Sequence, residues 1–312
     1  MNDPCLLFST PSYRHLALQM ASYGTVELGE LETYLFPDGE RYMRLQSPVP
    51  GRRVALLGGT VSDADTLFLY DLAYSLAKDG ARSLTLIIPY FGYSTMERRE
   101  LPGEVVTAKS RARLLSSVPV AHHGNSVLLL DLHTGGLPHY FEGAMTPVHL
   151  SARSIVLEEA QRIAGDEPFV MACTDAGRAK WVESLANDLG TDAAFVLKRR
   201  IDGNRTEVSA IQAAVEGRTV VIYDDMVRTG GSMIEAARAY TKAGATRIAA
   251  ITTHGIFPGT SLARLRDSEL FTEIVCTDSH PRANDLADDF LRVRTVATLL
   301  HEALESGYTK PA

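Results

Sequence analysis

Short, almost wholly apolar runs recur along the chain, each ending in polar residues or glycine. They are RVALLGG (53–59), LTLIIPYF (84–91), VLLLDLH (127–133), FVMACTD (169–175), TVVIYDD (219–225) and IAAITTHG (248–255). Between them, ADTLFLYDLAYSLAKDG (64–80) and SMIEAARAYTKAGA (232–245) carry apolar residues at helical spacing and stop at glycine. A continuously apolar strand has both faces covered, and strands alternating with helices are joined by crossovers. The pattern predicts an α/β protein with mainly parallel sheets flanked by helices.

Two of these units look alike. The stretch from Gly51 aligns with the stretch from Gly217, pairing Val54 with Val220 and Tyr74 with Tyr240. After a two-residue adjustment, Gly80 meets Gly244 and Ala81 meets Ala245. Any two strand–helix–strand units share much of this pattern, yet a duplication accounts for the whole alignment. It implies two tandem domains, 1–150 and 151–312, divided near TPVHLSARS. Where the second copy carries Asp224 and Asp225, the first carries Gly58 and Gly59. One acidic site per chain is therefore expected. The final RTVATLLHEALESG is an amphipathic helix that can pack on either half.

Composition narrows the class. Of 312 residues, 45% are hydrophobic and 22% charged, which suits a globular core. A net charge of −7 leaves no basic footprint for nucleic acid. Cys5, Cys173 and Cys276 share no close spacing, so neither a disulfide framework nor a cysteine zinc site is expected. No stretch of about 18 apolar residues is present to span a membrane. The start MNDPCLLFST lacks the basic and apolar regions of a signal peptide. A cytoplasmic protein is the expectation.

The candidate chemistry lies after the strands, because ligands of open α/β sheets sit beyond the strands' carboxyl ends. Following Tyr223, the chain reads Asp224, Asp225, then MVRTGGS leading into a helix. Thr229, Gly230, Gly231 and Ser232 can offer backbone N–H groups and hydroxyls to a phosphate at a helix N-terminus. Asp224 and Asp225 can accept hydrogen bonds from sugar hydroxyls. A phosphorylated sugar satisfies both demands, whereas a solvated turn with helix-capping acids is the plainer alternative. His133 and Asp175 each end a strand and point to the same class of cleft. Lys198, Arg199 and Arg200 stand between the strand AAFVL and the polar loop IDGNRTE, where a charge run is usually a solvated turn. In FPDGE (36–40), Pro-Asp-Gly is first of all a turn signal.

DDMVRTGGS resembles the ribose-5-phosphate loop of the ribose-phosphate diphosphokinases, the phosphoribosyl diphosphate (PRPP) synthases. FPDGE, PYFGYS, DLH, TDAG, KRR and THGIFPG appear in that family's order from about Phe36 to His280. The resemblance implies two tandem phosphoribosyltransferase-like domains and transfer of the diphosphoryl group of ATP to the 1-hydroxyl of ribose 5-phosphate. It implies that Asp224, Asp225, Thr229, Gly230, Gly231 and Ser232 hold ribose 5-phosphate. It also implies Mg²⁺ on His133 and Asp175, with Lys198 and Arg200 on a catalytic loop and Arg205 a weaker candidate there. In the family the FPDGE segment reaches the adenine of a neighbouring subunit, Phe36 stacking and Asp38 and Glu40 accepting hydrogen bonds. A homo-oligomer with its active site between protomers follows.

The chain also departs from the family's best-known members. Thr95 and Met96 stand where those carry Arg-Gln, with Arg98 and Arg99 near enough to touch nucleotide phosphates. Gly136 replaces a Gln after DLH, and Arg228 replaces a third acid in the loop. The sequences STMERRE…GEVVTA, LLSSVPVAHHG and THGIFP are more similar to the second, plant-type class. That class needs no phosphate activator and accepts other nucleoside triphosphates. Two further readings are a non-catalytic regulatory homologue and a phosphoribosyltransferase. The second leaves FPDGE and the N-terminal half without a role.

Overall fold

The computed structural model describes residues 4–202, 205–212 and 215–306, with the backbone only for 197–212. The architecture below is that of these residues. The chain forms two compact units, one of residues 1–151 with the C-terminal residues from Thr295, the other Ala152–Arg294.

The first unit begins with β1 (Cys5–Ser9), α1 (Arg14–Ala21) and β2 (Val26–Leu28), then a two-stranded hairpin of β3 (Leu31–Leu35) and β4 (Arg41–Leu45). β5 (Arg53–Leu57), α2 (Asp63–Lys78), β6 (Ser83–Ile88), α3 (Thr107–Ser116), β7 (Asn125–Leu130) and β8 (Met145–Leu150) follow. The strands form a parallel sheet in the order β2-β1-β5-β6-β7-β8. α2 shows why the local sequence folds as it does. The Ser62 hydroxyl caps it by accepting from the Asp65 N–H at 3.1 Å. Asp63 and Asp65 lie at its positive end and Lys78 in its last turn. Its Phe68, Leu69, Leu72 and Leu76 are buried together with Val54, Leu56 and Leu86 of the sheet.

The second unit runs through α4 (Arg153–Ala164), β9 (Phe169–Cys173), α5 (Ala179–Leu189), β10 (Asp192–Asp202) and β11 (Arg205–Gln212). It continues with β12 (Thr219–Val227), α6 (Gly231–Lys242), β13 (Arg247–Gly255), α7 (Ser261–Asp267), β14 (Ile274–Thr277), α8 (Arg282–Leu286) and β15 (Leu291–Arg294). Its sheet order is β11-β10-β9-β12-β13-β14-β15, parallel except for the antiparallel β10–β11 pair. Glu159 of α4 is 1% exposed and meets Arg162, Arg292 and Arg294, which pins that helix to β15.

Both sheets bear out the parallel α/β expectation. Two details go beyond it. The stretch 198–200 is strand rather than the start of a loop, since Lys198 pairs with Val208 and Arg199 with Glu207 across the hairpin. The terminal helix, α9 (Ala297–Glu305), belongs with the first unit. There Tyr23 Oη lies 2.7 Å from Thr298 Oγ1, and Arg53 pairs with Glu305 at 2.6 Å.

Each sheet has one point where the strand order reverses. From β1 the chain steps first to β2 and later to β5 on the other side; from β9 it steps to β10 and then to β12. Such reversals open a crevice at the strand ends. In the first unit the crevice is filled. A Cβ on Gly59 would lie 2.2 Å from Tyr13 Oη, and one on Gly58 would lie 2.6 Å from Thr10 Cγ2. Tyr13 itself is completely buried. The crevice of the second unit, between β9 and β12, carries Thr174 and Asp175 on one side and Asp224 and Asp225 on the other.

Candidate active site

The adjacent acids of β12 leave the strand toward opposite faces of the sheet, as strand residues must, yet their carboxyls still meet at the strand end. Asp224 shares the face of Ile222, which packs with Met233, Ala237 and Tyr240 of α6. Asp225 shares the face of Tyr223, which packs with residues of α4 and α5. Asp224 Oδ2 accepts the Thr174 hydroxyl at 2.9 Å, and its Oδ1 accepts the Asp225 N–H at 3.0 Å. Asp225 is 3% exposed and pairs with the Arg178 guanidinium at 2.6 Å. Burial, and then the Asp225 carboxylate, push the Asp224 carboxyl up to about 7, while Thr174 and Arg178 pull the other way.

The loop expected to receive a phosphate leads directly from these acids. Gly230 takes φ +76° as the residue before α6, and a Cβ there would lie 2.8 Å from Leu265 Cγ. Only glycine meets both demands without strain. Thr229 and Ser232 are exposed on either side, at the N-terminus of a 12-residue helix. The fold thus brings Asp224, Thr229, Gly230, Gly231 and Ser232 to the end of one strand. Tyr240 braces the same region from within, its hydroxyl reaching Cys173 O at 3.0 Å and Ala194 O at 3.2 Å, where β9 and β10 part.

Asp175 follows β9, exposed, and its Oδ1 accepts the Gly177 N–H at 2.8 Å. A solvent-facing carboxylate with one oxygen committed suits Mg²⁺, which keeps several waters and needs few protein oxygens. Among the described residues no group of three or more His, Cys, Asp or Glu forms a closed metal cage. His133 stands in the first unit, part-exposed, after a sharp turn at Asp131 with φ +36°. The Leu132 N–H of that turn donates to His149 Nε2 at 3.0 Å. His133 lines a cavity of about 370 Å³ with Thr95, Met96, Glu97, Arg98 and Glu104.

Arg98 and Arg99 separate. Arg98 is in the His133 cavity, paired with Glu100 at 3.1 Å, whereas Arg99 lines another with Lys109 and Arg113. Phe36, Asp38 and Glu40 form the tip of the β3–β4 hairpin, where Asp38 Oδ1 accepts the Glu40 N–H at 3.0 Å. Phe36 meets Tyr34 edge-on at 5.2 Å, and Tyr34, Leu35 and Phe36 are 47%, 62% and 42% exposed. The side chains of Lys198, Arg200 and Arg205 lie outside the described residues.

Backbone strain gathers at the same loops. Among the described residues four non-glycine positions have φ in the left-handed region, and Tyr93, Asp131 and Phe257 fall in PYFGYS, DLH and THGIFPG. Such positions cost on the order of 1–3 kcal/mol each and persist where neighbours over-determine them. Tyr93 Oη donates to Asp63 at 2.9 Å, Asp131 N–H to Leu150 O at 2.9 Å, and Arg282 Nε to Phe257 O at 2.9 Å.

Residues 5–118 match the model of the N-terminal domain of ribose phosphate pyrophosphokinase, and 151–284 match the phosphoribosyl transferase domain. A ribose-phosphate pyrophosphokinase of Ralstonia nicotianae is 33% identical, covering 96% of this chain and 94% of its own. One of Prochlorococcus marinus is 31% identical, with coverages of 97% and 90%. The chain belongs to the ribose-phosphate pyrophosphokinase family.

The fold agrees, since the crystal structure of phosphoribosylpyrophosphate synthetase from Mycobacterium smegmatis superposes with a TM-score of 0.87. That structure is 24% identical and covers 98% of this chain and 99% of its own. Both units are phosphoribosyltransferase-like domains. Against this ribose-phosphate pyrophosphokinase frame, sequence reasoning missed Thr174 and Arg178. Thr174 opens the quoted TDAG stretch and Arg178 directly follows it, and their partners lie about 50 residues away. No local spacing announces them; only the adjacency of β9 and β12 does.

Proposed function

We propose that the chain transfers the diphosphoryl group of ATP to the 1-hydroxyl of ribose 5-phosphate, giving 5-phosphoribosyl 1-diphosphate and AMP. What carries the reading is the open crevice at the end of β12, with its acids and its Gly230 loop, in a chain matching that family over nearly its full length. Asp224 serves the sugar hydroxyls, with Asp225 backing it from the covered face of β12, and Thr229, Gly230, Gly231 and Ser232 serve the 5-phosphate. The 1-oxygen attacks the β-phosphorus, its proton passes to solvent, and the bond between the β-phosphorus and the α-phosphate oxygen breaks as AMP leaves with that oxygen. Lys198 and Arg200 stabilise the charge spreading over the phosphoryl oxygens. Mg²⁺ held by Asp175 and His133 supplies charge neutralisation on the triphosphate when bound. Holding both reactants oriented contributes on the order of 7–11 kcal/mol.

Arg98 serves the nucleotide phosphates from the His133 cavity, and Arg99 serves them from a second cavity with Lys109 and Arg113. The exposed hairpin tip supports the assignment of Phe36, Asp38 and Glu40 to a partner subunit's adenine, which makes the enzyme a homo-oligomer. Thr95 and Met96 in place of Arg-Gln support the plant-type second class, with no requirement for phosphate and a broader choice of donor. The site of action is the cytoplasm. The test is AMP and PRPP formation from ribose 5-phosphate, Mg²⁺ and ATP, without and with inorganic phosphate, with GTP and CTP as further donors. Turnover without phosphate supports both the synthase and the second class. Turnover only with phosphate keeps the synthase and removes the subclass. Silence from folded protein in both overturns the reading in favour of a regulatory homologue.

A further inference from the structure

Five consecutive residues, Thr174 to Arg178, touch both acids of β12. Thr174 Oγ1 donates to Asp224 at 2.9 Å, and Arg178 Nη2 pairs with Asp225 at 2.6 Å. Asp175 between them keeps its carboxylate at the surface and closes the turn onto Gly177. Two carboxylates on neighbouring residues repel, and the peptide joining them can swing to part them. A cation on one weakens that force. Arg178 is placed to do so, because Asp225 is almost fully buried and the Arg178 side chain is one-fifth exposed. A desolvated pair of this kind is held far more firmly than a surface one.

We propose that Arg178 is a positioning residue for ribose 5-phosphate: by holding Asp225 on the covered face of β12, it fixes the strand end so that Asp224 faces the sugar beside the Gly230 loop. The idea rests on the function proposed above. Arg178 touches the acid and not the reacting atoms, so its loss acts on sugar binding before turnover. The five-residue loop also ties the carboxylate proposed for Mg²⁺ to the acids proposed for the sugar. An Arg178 substitution therefore loosens the sugar side while leaving Asp175 its own turn.

The experiment compares the parent with Arg178→Gln and Arg178→Lys in steady-state kinetics and in calorimetric titration with ribose 5-phosphate alone. The expected result for Arg178→Gln is a rise of about tenfold or more in both KM and Kd for ribose 5-phosphate, with the KM for ATP changed less than about twofold. Arg178→Lys, which keeps the charge but not the planar fork, recovers most of the loss. A lowered melting temperature with unchanged sugar affinity assigns Arg178 a purely structural part and overturns the proposal. A fall in kcat at constant KM and Kd, not rescued by lysine, also overturns it, because the guanidinium then acts on the reacting groups. If Arg178→Gln does not fold, Arg178→Lys decides alone: affinity within about threefold of the parent supports positioning by charge, and a loss of about tenfold or more refutes it. Should the parent itself bind no ribose 5-phosphate, the proposed function fails first, and the assignment of Arg178 falls with it.

Discussion

Replacing Asp224 with asparagine should make the empty protein more stable while disabling it. In the folded chain burial and the Asp225 carboxylate raise this carboxyl from an ordinary 3.8 to about 7, against the opposing Thr174 and Arg178. In the unfolded chain the group ionises near its ordinary value. The folded form therefore holds the proton more tightly, and this residue's contribution to stability falls as pH rises from about 4 through about 7. At 1.36 kcal/mol per pH unit the full cost by pH 8 is at most about 4 kcal/mol, the larger part of it developing above pH 5. Asparagine reproduces the protonated form. Its carbonyl oxygen can accept from the Thr174 hydroxyl and the Asp225 N–H, and its amide can donate toward the Asp225 carboxylate.

The stability gain of Asp224→Asn should therefore grow by about 2–3 kcal/mol between pH 5 and pH 8. Urea unfolding followed by tryptophan fluorescence reads it, because Trp181 is the chain's single tryptophan and its ring lies 6.5 Å from that of Tyr223. Diphosphotransfer by the same variant should fall, the usual opposition between a strained site and a stable fold. A variant no more stable than the parent at pH 8 would refute the reasoning. So would a difference that stays constant with pH, since a packing change has no reason to titrate.

Two further substitutions probe the loop and the frame. Gly230→Ala places a Cβ 2.8–3.0 Å from the Leu265 side chain at φ +76°, so the KM for ribose 5-phosphate should rise at least about tenfold. Gly231→Ala, whose Cβ meets only Thr229 Oγ1 at 3.9 Å, should be tolerated, and equal damage from both would show that loop geometry is not the cause. Glu159→Gln leaves Arg162, Arg292 and Arg294 facing one buried amide, for a loss of about 3 kcal/mol in urea unfolding with substrate KM values unchanged.

Much of the fold was legible because buried parallel strands write themselves as apolar runs. VLLLDLH and TVVIYDD needed no partner to be read, and β7 and β12 begin and end within a few residues of them. The continuation of β10 through Lys198 and Arg199 was not legible. Its charged residues are held in strand by pairing with β11, a tertiary context that overrides local character. The place of α9 was open for a related reason: an amphipathic helix records that one face is covered, not by what. At the site, the acids and glycines of DDMVRTGGS are compatible through residue type alone with a phosphorylated sugar or with a solvated, helix-capping turn. Their division between two faces follows from strand alternation, and it becomes visible once β12 is known to run through Val227. Thr174 and Arg178 stayed hidden because hydrogen bonds across a strand reversal leave no periodic trace.

The two copies also explain why one chain presents one crevice of this kind. Both sheets reverse their strand order after the first strand, so the topology offers a ligand position twice. In the first unit the strand ends carry Gly58 and Gly59, and the Thr10 and Tyr13 side chains close over them at distances no Cβ would allow. The missing side chains are what let Tyr13 bury its ring completely. In the second unit the aligned positions carry Asp224 and Asp225, which cannot be packed over by an apolar ring without stranding their charge. Thr174 holds the first and Arg178 the second, with Asp224 retaining part of its surface. The exchange of two glycines for two acids therefore does more than add ligand groups. It decides which crevice can close over its strand ends and which keeps two carboxyls there.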